Sequence, residues 1–564
     1  MRFRTPLLLL ALLFVLMSAC STPSGCPTCG TTKNGAFALI NVIPVPEHNP
    51  TGTPGGPFVS FDISVVDPVN HLFYVSDRIG LDVVVVDTVK NIAVNTIGGA
   101  NAVAQAGNNA SPCVPTIQPL ISALGNFTRF GCRTGSFSIP GFGPNGLFGG
   151  FTGAQCCAAR ANGVNPLSCP CGIVVTADGK TMFVGNASST IVVFDLTTNP
   201  PTVIANIPTG QSADFDGPVG VSPCIASAAG RALSDPTCGD MRADEMSYDE
   251  KDKILLVTNG DPGLPFITLI DMSAVVARTG NCLPVNPANP YGPTNFPTCI
   301  LGQIYYDGAS PLNNAVAVDG SAAPCPDPST SAPSGVSGTG VGAGGKNVPC
   351  HHGPVITQAG TFCNQAAPAA NCAGAISPAG LGGSAFNPNT GHFLVTNGNA
   401  TGDLTVGAID EIDPRIGNPA GPIVVNTFPV NNCMPTSVVQ GPGNQFLVGC
   451  ADHDGVAFPP NEFVIDGKTG AILATITTVG GVDETWFNPG DGNYYLAARD
   501  MPNGPVLGVI DSKTNTWLQN VATNTNSHSV AVDPSNNHVF VPLQAGPLCT
   551  TQSANGCIGV YARQ

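Results

Sequence analysis

Charge is scarce in this chain. Of its 564 residues only 10% are Asp, Glu, Lys or Arg, and 20 bases against 36 acids leave a formal net charge of −16. A nucleic-acid partner would call for clustered Lys and Arg, so the acidic balance argues against one. No apolar run after the N-terminal segment is long enough to cross a bilayer as a helix. Uninterrupted stretches without Gly or Pro are also short, because the chain holds 68 Gly and 53 Pro. These are the two worst residues for a helix interior, which disfavours long helices and coiled coils. Disorder throughout is disfavoured by a hydrophobic content of 43%. Several chemical spellings are missing as well. There is no G-x-S-x-G, no H-E-x-x-H and no C-x-x-C-H. Cys26 and Cys29 form a C-x-x-C, but no second pair follows at zinc-finger spacing. Gly340, Gly342 and Gly345 match G-x-G-x-x-G in a Gly/Ser-rich run with no strand before it, so dinucleotide binding is discarded.

What is present begins with an export signal. Arg2 and Arg4 precede an apolar run from Leu7 to Met17, and Leu16-Met17-Ser18-Ala19-Cys20 follows. These residues resemble a bacterial lipobox, which implies a signal peptide at 1–19, acylation of Cys20 and a tether over 20–36. Ser21 after the Cys implies the outer membrane in a Gram-negative cell envelope. The membrane is then a partner through the lipid anchor. Cysteine usage fits export: 21 Cys leave an even number once Cys20 is set aside. In an oxidising compartment this reads as a set of disulfides. Many Cys have a near neighbour in sequence, among them Cys282/Cys299, Cys433/Cys450 and Cys549/Cys557. Spacing alone leaves the connectivity open.

A repeat organises the rest. Ile63-Ser64-Val65-Val66-Asp67-Pro68 with Leu72-Phe73-Tyr74-Val75 is a strand, a turn and a returning strand. Near the C-terminus, Ser529-Val530-Ala531-Val532-Asp533-Pro534 with His538-Val539-Phe540-Val541 repeats it. Five further copies lie between, including Phe393-Leu394-Val395-Thr396-Asn397 and Leu255-Leu256-Val257-Thr258-Asn259. A third strand ends in Asp in six copies, at Asp87, Asp195, Asp271, Asp410, Asp466 and Asp511. These acids read as turn formers. The seventh copy lacks room for a fourth strand, and Leu39-Ile40-Asn41-Val42-Ile43-Pro44 fits the missing pattern. Seven four-stranded units with a donated strand predict an all-β fold, a seven-bladed antiparallel β-propeller over 37–564. Insertions are expected at about 100–168, 209–240, 276–300 and 308–380. They are rich in Gly, Pro, Ser and Ala and are expected to be ordered by disulfides. Three of them fall on one face. The Leu-Val-Thr-Asn and Phe-Tyr-Val-Ser motifs resemble the YVTN family of bacterial seven-bladed propellers, which implies the fold and leaves function open.

The candidate site is the start of the innermost strands, where equivalent positions read Asp62, Cys171, Asp244, Gly382, Pro435, Asp483 and His528. Glu245 and Glu484 follow two of the Asp. Converging acids repel unless a cation or water relieves them, and a divalent ion such as calcium takes several oxygen ligands. Similarity in position to gluconolactonase-like propellers implies Asp62, Asp244 and Asp483 as ligands, with His528 as ligand or general base. Two functions follow. One is a binding or interaction protein that uses the insertion-bearing face to engage a protein, glycan or small ligand. The other is a metal-dependent lactonase-like hydrolase.

Overall fold

The computed structural model describes residues 35–45, 58, 61–77, 82–98, 170–186, 190–209, 243–260, 266–280, 282, 299–305, 326–327, 332–333, 350–352, 381–398, 405–417, 421–451, 458–549 and 556–564. The signal segment, Cys20, almost all of the four insertions and the fragments Asp214–Gly217 and Asp452–Gly455 lie outside these residues.

The chain forms a seven-bladed propeller. Strand β1 (Phe37–Pro44) comes first and is used last. Blade 1 is β2 (Phe61–Asp67), β3 (Leu72–Asp77), β4 (Asp82–Asp87) and β5 (Ile92–Gly98). Blade 2 is β6 (Ile173–Val175), β7 (Thr181–Asn186), β8 (Thr190–Asp195) and β9 (Thr202–Pro208). Blade 3 is β10 (Met246–Asp249), β11 (Ile254–Asn259), β12 (Phe266–Asp271) and β13 (Ile300–Tyr305), with a four-residue helix α1 (Ser273–Val276) after β12. Two short strands, β14 (Pro326–Asp327) and β15 (Ala332–Pro333), pair with each other. Strand β16 (Cys350–His352) joins blade 3 as a fifth, parallel strand on β13. Blade 4 is β17 (Leu381–Asn387), β18 (His392–Asn397), β19 (Val406–Asp413) and β20 (Ile423–Asn431). Blade 5 is β21 (Met434–Gln440), β22 (Gln445–Ala451), β23 (Glu462–Asp466) and β24 (Ile472–Ile476). Blade 6 is β25 (Val482–Asn488), β26 (Asn493–Ala498), β27 (Val506–Asp511) and β28 (Thr516–Ala522). Blade 7 holds β29 (Ala531–Asp533), β30 (His538–Leu543) and β31 (Cys557–Arg563), and β1 completes it as the outermost strand. The ring is thereby shut with strands from both ends of the chain, as the sequence predicts.

The core follows from alternation along the strands. On β4, Val84 and Val86 face blade 7, whereas Val83 and Val85 face blade 2. Middle strands are therefore buried on both sides and read as unbroken apolar runs. Seven apolar clusters result, one at each junction between neighbouring blades. Trp486 packs where the clusters on either side of blade 7 meet it.

Turns opposite the main insertions, here called the lower face, use the acids noted in the sequence. Asp87, Asp466 and Asp511 each accept two backbone N–H bonds from the following turn. One assignment changes. Asp410 does not end its strand, because β19 runs on to Asp413, whose carboxylate accepts the Arg415 N–H at 2.8 Å. Strand β19 has eight residues and the Ile-Asp spelling occurs in it twice, at 409–410 and 412–413. Pairing of β18 with β19 puts Phe393 opposite Ile412, which fixes the later copy as the turn former. Asp410 is buried instead, accepting bonds from Asn397 and Thr427.

Three of the close cysteine pairs are disulfides: Cys282–Cys299, Cys433–Cys450 and Cys549–Cys557. No helix of the described residues is long and apolar enough to cross a membrane.

Candidate functional site at the upper axis

The innermost strands share a local irregularity at the axial ring. In blade 6 Val482 pairs with Ala498 and Glu484 with Ala497, so Asp483 is an extra residue with no partner across the sheet. Blade 1 shifts register between Phe61 and Ser64, blade 4 between Leu381 and Ser384, and blade 5 between Pro435 and Ser437. In blade 3 the Asp244 N–H donates to Thr258 O, and the Thr258 N–H donates to Glu245 O, so two residues oppose one. Cys171 and Gly172 oppose Gly185 in the same way in blade 2. A β-bulge re-aims side chains that regular alternation would bury between sheets. Repeated in six blades, it sets the ring residues at the upper end of the axis, and in blade 5 the extra residue is Thr436, one past the expected Pro435.

Hydroxyl groups tie four of the bulges to the next blade. Ser76 donates to Cys171 O at 2.5 Å, Thr258 to Gly382 O at 3.3 Å and Thr396 to Thr436 O at 3.4 Å. Thr436 donates to Val482 O at 2.7 Å. Replacing Thr436 with valine keeps its shape and orphans a carbonyl. The expected loss is about 1 kcal/mol in urea denaturation; an unchanged midpoint would show that these bonds add nothing to blade docking.

His528 belongs to this set of ties. Its ring stacks on Phe61 with centroids 4.9 Å apart. Nδ1 lies 2.8 Å from Asn526 O and Nε2 lies 3.0 Å from Phe61 O. A neutral imidazole donates from one nitrogen only, and carbonyl oxygens only accept. The two ring nitrogens both face backbone carbonyls, one on each side of the blade junction. The structure thus places His528 as the junction between blades 7 and 1, helped by a Ser64–Ser529 hydroxyl contact at 2.9 Å.

The five acids do come together. Asp62 and Asp244 are buried, and ligand atoms of Asp62, Cys171 and Asp244 all lie within 4.8 Å of one another. Cys171 is disulfide-bonded, so its sulfur is not a free thiolate ligand. Across the axis, the Glu245 and Glu484 carboxyls hydrogen-bond each other. Such a bond needs a proton between them. Enclosure in the channel pushes the Glu245 carboxyl well above its usual range, and the charges of Asp244 and Asp62 add to the rise. Glu484 rises too, through enclosure and then through Glu245 and Asp483. Both keep some surface open to the channel.

Sequence reasoning missed one member. Arg499, just past β26, pairs with Asp483 at 2.8 Å and also feels Asp62. It is the one Lys or Arg that the described residues place on the upper face. Its only sequence signal is that rarity. The cluster therefore holds five carboxyl groups against a single guanidinium. Chemically it is a seat for positive charge, with oxygen donors from blades 1, 3 and 6.

No protein-family model matches the sequence, and no curated protein matches it. Among solved structures, a chain of a mitotic checkpoint complex is similar with a TM-score of 0.44 and 9% identity, over 94% of this chain and 93% of that one. A chain of hydrazine synthase from Kuenenia stuttgartiensis is similar with a TM-score of 0.44 and 12% identity, over 90% of this chain and 96% of that one. Neither likeness bears on what this protein does.

Proposed function

We propose that this protein is a binding protein of the cell envelope, and that its insertion-bearing face captures a positively charged group at the axial mouth. The observation that carries the reading is the convergence of Asp62, Asp244, Glu245, Asp483 and Glu484 around Arg499. Buried like charges raise one another's energy, and an incoming cation relieves them. A calcium ion would find oxygen donors here, and so would an organic ammonium group. The lactonase-like alternative has less support, since it asks His528 to act as base or ligand and both its nitrogens face backbone carbonyls. Export and acylation at Cys20 complete the reading. They are supported by the lipobox-like Leu16–Cys20 and by disulfides between neighbouring Cys. The Leu-Val-Thr-Asn motifs support kinship with YVTN propellers.

The test is thermal unfolding of the purified chain titrated separately with calcium and with spermidine. A ligand that binds only the folded state raises its stability. A saturable rise with calcium alone would assign a metal seat, and one with spermidine alone an ammonium seat. No response to either would overturn the reading.

A further inference from the structure

The upper mouth has an opposite face with its own chemistry. Among the described residues, the large apolar side chains left exposed sit in lower-face turns or in the lower half of outermost strands. Blade 4 shows Ile416, blade 5 Ile472 and Leu473, blade 6 Trp517 and Leu518, and blade 7 Ile40. Blade 1 continues the arc. Trp517 remains 42% exposed, although its indole N–H bonds to Asn520. A tryptophan left half in water, followed in its strand by an exposed leucine, is the pattern of a group that sits at a membrane–water interface.

The N-terminus leads to the same place. Gly35 lies against Gln564, the end of the chain beyond β31, and so at the lower face. Phe37 and Gln519 exchange two bonds, Phe37 N–H to Gln519 Oε1 and Gln519 Nε2 to Phe37 O, each 2.9 Å. Gln519 directly follows Trp517 and Leu518 on β28. The strand that receives the tether is thus clamped to the strand that carries the tryptophan. Between Cys20 and Gly35 the chain can extend by roughly 50 Å. A tether of that reach imposes no orientation, so the choice falls to the surface of the propeller.

Charge on this face does not call for anionic lipid. Lower-face cations share their turns with acids: Lys90–Asp87, Lys180–Asp178, Lys253–Glu250 and Arg278–Asp195 are ion pairs on blades 1 to 3, and on blades 4 to 6 Arg415, Lys468 and Lys513 each donate a backbone N–H to the acid of their own turn, Asp413, Asp466 and Asp511. Attraction would be apolar.

We propose that the lower rim of blades 4 to 7 rests on the lipid surface that holds the Cys20 anchor, so that the acidic mouth points away from the bilayer. The proposal rests on the Cys20 reading and is independent of which cation the mouth takes. The chain has two tryptophans, and Trp486 is packed between blades. A Trp486→Phe variant leaves Trp517 as the sole reporter. The full chain is expressed with its own leader, extracted, checked for acyl chains by mass spectrometry and reconstituted into phosphatidylcholine vesicles. Expected are a blue shift, at least twofold quenching by brominated lipid and reduced quenching by aqueous iodide, all unchanged in 0.5 M salt. Trp517→Phe on the same background should remove the signal. An acylated, folded chain with no lipid quenching overturns the orientation and leaves the axial reading untouched. A chain without acyl groups overturns the anchor and the proposal with it. Iodide protection that grows with protein concentration and lacks lipid quenching would put a second copy on this face, and release by salt would replace apolar contact with charge; either overturns it.

Discussion

Replacing Asp82 with asparagine and Glu462 with glutamine should stabilise the protein, and the gain should widen as the pH rises from 4.5 to 6.5. Asp82 opens β4 on the rung Phe61–Asp77–Asp82, facing blade 7, and neither of its carboxyl oxygens has a hydrogen-bond partner. Burial pushes its pKa well up, and the facing Asp77 pushes it further. Glu462 opens β23 in blade 5, one position further along than Asp82 in its own blade. One of its oxygens accepts the Cys450 N–H at 2.8 Å and the other has no partner. Burial raises it as well, against that one bond.

The direction of the pH effect follows from linkage. A carboxyl that is harder to ionise when folded leaves the fold fully stable below the unfolded pKa, near 4. Above it the unfolded chain ionises first, and stability falls by up to about 1.4 kcal/mol per pH unit for each such group until the folded pKa is passed. Asp87, Asp195, Asp466 and Asp511 work the other way, because hydrogen bonds or a neighbouring cation hold them low. Their stabilisation is complete once the unfolded chain has ionised. Between pH 4.5 and 6.5 the downward slope therefore comes from the raised acids, opposed by His538, whose imidazole is held below its usual range by burial. The double variant should lose part of that slope and gain on the order of 1–3 kcal/mol per site at the upper end. Urea denaturation at several pH values measures it. A variant with the slope and stability of the parent would show that these carboxyls ionise freely in the fold.

The second large effect concerns the axis. Asp244→Ala with Asp483→Ala should abolish capture of the cation identified by titration while leaving the propeller folded. A charged contact of this kind contributes roughly 1.5–3 kcal/mol, so losing two predicts a fall of roughly two to four orders of magnitude in affinity. The loss is compounded because Arg499 would keep its charge beside the seat without its Asp483 partner. The reverse follows for Arg499→Met, which should tighten cation binding by removing the competing charge. Asp466→Ala, in an exposed lower turn, should change nothing. Calorimetric titration separates these outcomes, and equal affinity in the parent and the double variant would place the cation elsewhere.

The ring itself was legible in the sequence because each blade carries local signals in order, namely an apolar strand, an Asp turn and a returning strand. Closure through β1 was legible for the same reason. The error at Asp410 arose where a signal occurs twice in one strand and only pairing across the sheet decides between the copies. Convergence of the five acids could be read, since equivalent positions in a ring share an axis. The fate of His528 could not, because it depends on where Asn526 O and Phe61 O lie, and Asn526 adopts φ 57° to get there. Arg499, Asp82 and Glu462 were missed for a related reason. Each follows or begins an ordinary strand, and what it meets belongs to another strand or another blade.

The donated strand also sets an order of events. β1 is among the first segments of the propeller to emerge, whereas its partner β31 ends at residue 563. Pairing across nearly the whole chain makes the last step of assembly the most non-local one, and such contacts form slowly. Until β31 arrives, blade 7 has an unpaired edge and the cluster it shares with blade 1 is half built. A nascent chain in that state is open to strand exchange with a neighbour and to proteolysis. Once the two ends meet, the C-terminal strands of blade 7 cannot peel away from β1 without breaking that pairing.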